Sequence, residues 1–121
     1  MFTLDYRDTG PIYAQIKEKL KNLVLTGALK EGEKLPSVRQ MSKQLAVNPN
    51  TIQRAYRELE TEGLFYSVQG KGIFVGGGEE AMENYRKEER QKMKALIEEL
   101  KNHRHTDEEI LRMVEEILKE I

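Results

Sequence analysis

Between Leu35 and Val75 the apolar positions change period, from a helical spacing of three and four to a strand-like run. Val38, Met41 and Leu45 give a short helix one apolar face. Pro36-Ser37 opens it, with Ser37 and Gln40 spaced as a capping box. Ile52, Ala55, Tyr56 and Leu59 fall at i, i+3, i+4 and i+7 and predict a second helix over roughly Pro49 to Glu62. Asn48 suits its N-cap and Pro49 its first helical position, where the missing N–H has no partner to lose. Gly63 stops it in the left-handed conformation. Leu64 to Val68 and Gly72 to Val75 then predict two strands around a turn at Gln69-Gly70-Lys71. Two short helices, a tight turn and a hairpin are the parts of a winged helix-turn-helix, in its order.

Such a module reads duplex DNA through the outward face of its second helix. At 100° per residue, Asn50, Arg54, Arg57 and Thr61 point away from the buried stripe, and Thr51 and Gln53 lie on its flanks. Each can hydrogen-bond to a base edge or a phosphate, and none is acidic. Glu58, Glu60 and Glu62 crowd the C-terminal end, where a recognition helix leaves the groove. Lys71, between Gly70 and Gly72, puts one cation at the tip of the hairpin, where a small neighbourhood lets it approach a sugar-phosphate backbone.

PIYAQIKEKL, LTGALKEGEKLPSVRQMSKQLAVNPNTIQRAYRELETEGL and GKGIFV are phrases similar to the N-terminal domain of GntR-type bacterial transcription regulators, over Pro11 to Val75. The short remainder resembles the small YtrA-type branch, since it leaves no room for a larger effector domain. The resemblance implies a dimeric repressor. It implies backbone contact by Arg39, base and phosphate contacts by Asn48, Asn50, Thr51, Gln53 and Arg54, and wing contacts by Gln69, Gly70 and Lys71. Arg57 joins this list from the helix geometry alone. Several branches of the family carry Arg immediately after the position of Asn48. This chain has Pro49 there, so their base preference does not transfer.

Outside the motif, Ile12, Ile16, Leu20, Leu23 and Val24 predict a first helix from Pro11 to about Thr26, with Lys17, Lys19 and Lys21 on a solvated face. Phe2, Leu4 and Tyr6 alternate in the preceding arm, which packs either on the body or on a second subunit. Gly76-Gly77-Gly78 reads as a hinge between a DNA-binding domain at 1–75 and a helical region at 79–121. One helix is expected from Glu79 to about Asn102, with Met82, Tyr85 and Met93 read as packing residues in preference to an effector pocket. A second opens with the Thr106–Glu109 capping box and carries the stripe Ile110, Leu111, Val114, Ile117, Leu118 and Ile121. Two helices this apolar cannot form a core alone, so residues 79–121 are expected to hold a homodimer. The fold class is therefore mainly α with a small β-hairpin, a winged helix-turn-helix followed by a two-helix dimerisation tail.

Charge argues mildly against this picture, since a DNA-binding domain is ordinarily strongly basic. The chain has a net charge of −1. Residues 1–75 hold 11 Lys and Arg against 8 Asp and Glu, and residues 76–121 hold 9 against 13, so the cations favour the reading head. A head this modestly basic implies a few well-placed phosphate contacts to double-stranded DNA. Without Cys there is no thiol chemistry, and His103 and His105 at a helix junction read as a solvated loop, so no metal or other cofactor is expected. Neither a nucleophile–base pair nor a phosphate loop supports an enzyme. No apolar run nears the ~18–20 residues of a membrane span, and the expected location is cytoplasmic. The alternative function is a winged-helix adaptor for another protein, which would tolerate apolar or acidic residues on the outward face. The identity of any small-molecule effector is open.

Overall fold

Ile16, Leu20, Val24, Ile52, Ala55, Leu59, Leu64 and Val75 share one interior, and each is at most 8% exposed. They bring together the elements of the first compact unit, Met1–Met82, in a computed structural model that describes residues 1–121. Helix α1 spans Ile12–Leu25, α2 Val38–Leu45 and α3 Pro49–Thr61, followed by strands β1, Phe65–Val68, and β2, Gly72–Val75. Helix α3 is central, packing against α1, α2 and β1.

The local signals act as their chemistry requires. Ser37 and Gln40 exchange the two hydrogen bonds of a capping box, 3.1 Å and 2.9 Å long. The connection from α2 to α3 passes through Ala46 in the left-handed conformation, φ 54°, a role that an alanine does not announce. Gly63 closes α3 at φ 81°, and the Leu64 N–H then donates to the Leu59 carbonyl at 2.9 Å. The predicted boundaries hold to within one residue. Pro11 stands just outside α1 and β1 starts at Phe65.

The hairpin pairs Phe65 with Val75 and Val68 with Gly72 in antiparallel register. A further extended segment joins it. The Leu35 N–H donates to the Ile73 carbonyl at 2.8 Å, the Val75 N–H to the Glu33 carbonyl at 2.8 Å, and Lys34 bridges to Phe74. The stretch before α2 is thus tied to the outer edge of the wing. Tyr56 completes the connection. Its ring, 1% exposed, meets Phe65 edge-on at 5.4 Å, and its hydroxyl donates to the Pro36 carbonyl at 2.8 Å.

The N-terminal arm packs on its own chain. Gln15, buried in α1, accepts from the Asp5 N–H and donates to the Asp5 carbonyl at 2.9 Å. Phe2 and Leu4 are half-buried and Tyr6 is exposed, without a strand. The lysines of α1 depart from the expected solvated face. Lys17 is half-buried and pairs with Glu62 at 2.8 Å, and Lys21 reaches 4.0 Å from Glu18. Long apolar stems explain the difference, since a lysine can lie along a surface and still present its charge.

The first compact unit ends at Met82, inside the next helix and beyond the three glycines at which the sequence places a boundary. Close approach is the reason for glycine at position 76. Its N–H donates to the Leu64 carbonyl at 2.6 Å, and a Cβ there would lie 2.6 Å from the Gly63 carbonyl oxygen.

Helix α4 spans Glu79–Asn102 and α5 Asp107–Glu120. The second unit, Glu83–Ile121, turns between them at Arg104, φ 68°, and restarts at the Thr106–Glu109 capping box. The box holds the Glu109 carboxyl below its ordinary range, through its bonds to the Thr106 backbone and side chain. Of the α5 stripe only Ile110 is buried; Leu111 and Leu118 are each 64% exposed, Ile117 47% and Ile121 93%. On α4, Leu96 is 56% exposed, and Met93, expected as a packing residue, is 52% exposed. No helix is long and apolar enough to cross a membrane.

Candidate nucleic-acid interface

Burying Ile52, Ala55, Tyr56 and Leu59 leaves the opposite face of α3 to solvent. Asn50, Gln53, Arg54 and Arg57 are exposed there, with Thr51 half-buried at the flank. Asn48 is exposed at the N-terminus, and its side-chain oxygen accepts the Asn50 N–H at 2.8 Å. Capping commits that oxygen and leaves the amide NH2 as the group available to an acceptor outside the protein. Thr61 is also exposed, but its hydroxyl donates to the Arg57 carbonyl at 3.0 Å, so it serves its own helix.

Arg39 is exposed on α2, and Gln69, Gly70 and Lys71 form the exposed tip of the wing. Gly70 has φ 76°, and the Lys71 N–H closes the tip by donating to the Val68 carbonyl at 2.9 Å. All ten candidate residues are therefore on the surface of the first unit, on α2, α3 with its cap, and the wing.

The acidic end of α3 is arranged against α1. Glu62 pairs with Lys17, and Glu58 is half-buried with its Oε2 free of hydrogen bonds. Burial alone would lower the Lys17 pKa; the hydrogen bond and charge of Glu62, with the charges of Glu58 and Glu18, outweigh it and raise the pKa above the ordinary lysine value. Two of the three carboxylates near the end of the helix thus face a cation of the protein itself. Less negative charge is left to oppose a phosphate backbone.

Two further residues belong to this surface. Lys34 lies across Gly72, where an added Cβ would be 3.0 Å from its Cε and 3.7 Å from its Nζ, so a second cation stands beside the tip of the wing. Tyr13 of α1 lies beneath the Arg54 guanidinium, whose carbon is 3.6 Å from the ring centroid. Neither has a local signal. Lys34 is one exposed lysine among many, and Tyr13 stands off the apolar stripe of α1.

Residues 12–75 match the profile of the bacterial regulatory proteins of the gntR family. The chain belongs to the gntR family. It is 44% identical to the HTH-type transcriptional repressor YtrA of Bacillus subtilis over 75 residues, 62% of this chain and 58% of YtrA. A transcriptional regulator from Oenococcus oeni has a similar structure, with a TM-score of 0.82 and 30% identity over 98% of this chain and 99% of the other. The gntR head is also similar to the AraR DNA-binding domain in complex with operator ORE1. There the TM-score is 0.54 and the identity 34%, over 63% of this chain and 93% of AraR's.

Proposed function

We propose that this gntR protein represses transcription in the cytoplasm, binding an inverted-repeat operator in double-stranded DNA as a homodimer. The observation that carries the proposal is the outward face of α3, where exposed Asn50, Gln53, Arg54 and Arg57, none of them acidic, stand together ahead of the acidic C-terminal end. The relatives agree in kind: YtrA is a transcriptional repressor, and the AraR domain is held on an operator. In this reading residues 1–75 bind DNA and residues 79–121 join the two subunits. Asn50, Thr51, Gln53 and Arg54 face the major groove with the free amide of Asn48, while Arg39, Arg57 and the wing tip Gln69-Gly70-Lys71 hold the backbone. A twofold axis sets the two heads one DNA turn apart, or a multiple of it.

Selection from a random duplex library tests this directly. Wild type should enrich an inverted repeat, and Arg54→Ala should weaken the selected site by about 1–3 kcal/mol. Failure of the folded protein to enrich any sequence would overturn the proposal. Lys71→Ala should instead weaken every sequence alike and reduce the slope of log affinity against log salt by about 1. A loss confined to one sequence would assign Lys71 to base reading.

A further inference from the structure

The Arg54 guanidinium lies over the Tyr13 ring with 3.6 Å between its carbon and the ring centroid. That is the contact distance of two stacked groups, and it uses the π face of the guanidinium while leaving the N–H groups at its edge free. Arg54 remains exposed and Tyr13 is half-buried in the first turn of α1. The contact is not required to join the two helices. Ile16, Leu20 and Val24 already bury one side of α1, and Lys17 pairs with Glu62 further along.

An unrestrained arginine gives up about 2 kcal/mol of rotamer freedom when it is fixed on a ligand. A side chain already resting on a ring has lost part of that freedom before the ligand arrives. We propose that Tyr13 is a positioning residue for DNA recognition. It holds the Arg54 fork flat, so that two N–H groups are preset for a pair of acceptors on the operator. Such a pair is offered by guanine O6 and N7 or by two phosphate oxygens. This rests on the reading of α3 as the DNA-recognition helix. It adds to that reading a residue from another helix, itself not required to touch DNA.

The test is a set of full-length variants titrated on the selected operator at fixed salt: Tyr13→Leu, Tyr13→Phe, Arg54→Ala, Arg54→Lys, and Tyr13→Leu combined with Arg54→Ala. Tyr13→Leu should weaken binding about 2- to 5-fold, the range of an exposed cation–π contact. Tyr13→Phe keeps the ring and should bind as wild type. Arg54→Lys keeps the charge but loses the fork, and should be weakened. Adding Tyr13→Leu to Arg54→Ala should cause no further loss. A Tyr13→Leu loss confined to one base pair would identify guanine as the acceptor, and an equal loss on all sequences would identify phosphate.

An equal loss from Tyr13→Leu with or without Arg54 would overturn the proposal, because it would mark a purely structural role. Binding of Tyr13→Leu that matches wild type would overturn it as well. In either case an operator still selected by wild type shows that the DNA reading itself stands. No selected operator at all would remove both. Ring-current shifts of the Arg54 side-chain resonances check the stack without DNA. They should persist in Tyr13→Phe and vanish in Tyr13→Leu, and their absence from wild type would overturn the proposal.

Discussion

Leu111→Glu combined with Leu118→Glu is expected to leave a folded but monomeric protein whose operator affinity falls by about 10²- to 10⁴-fold. Both side chains are 64% exposed, and their spacing of seven puts them on one side of α5. Ile117 lies exposed on the same helix and Ile121 at its C-terminal cap, and Leu96 and Met93 lie exposed on α4. Apolar surface gathered on two helices of a charged chain is the kind that a second subunit covers. Two carboxylates in such an interface would have to be desolvated without partners, which outweighs the apolar area gained. The affinity loss follows from linkage. In a dimer the second head binds at an effective concentration in the millimolar range, whereas separate heads bind each half-site alone. Sedimentation gives the assembly state and anisotropy the affinity. A variant that stays dimeric, or a monomer that binds the full operator as tightly as wild type, would refute the proposed role of residues 79–121.

Tyr56→Ala is expected to destabilise the reading head by about 3–5 kcal/mol, a large part of the stability of a domain of this size. The ring is 1% exposed and packs edge-on against Phe65, so its removal opens a cavity between α3 and β1. Tyr56→Phe separates the two contributions. It keeps the ring and removes only the donor to the Pro36 carbonyl, for a loss of about 1–3 kcal/mol. Denaturant midpoints at fixed protein concentration measure both, and equal midpoints for the two variants would show that the ring contributes nothing beyond the hydroxyl. The same burial pushes the Tyr56 phenol well above its ordinary pKa. The folded head then keeps a proton that the unfolded chain releases near pH 10, so this contribution is fully present below that pH and is lost as pH rises further.

Features that depend on neighbours three or four residues away are legible in the chain alone. The stripes Ile16, Leu20, Val24 and Ile52, Ala55, Tyr56, Leu59 follow from helical pitch. The Ser37–Gln40 and Thr106–Glu109 boxes and the Gly63 stop are bonds within a single turn. The exposed face of α3 follows by subtraction, so its candidate residues are legible in the sequence. Contacts between residues far apart in sequence come only from the packed fold. These are the clamp of Gln15 on the arm, the Leu35–Ile73 bond that joins a third segment to the wing, the Lys17–Glu62 pair and the stack of Arg54 on Tyr13. The glycines after β2 belong to the same class. Position 76 lies against the Gly63 carbonyl, and the first compact unit continues to Met82. Periodicity tells which way a side chain points from its own helix axis. Which partner it meets depends on how the helices cross, and that is set by the packing of the whole interior.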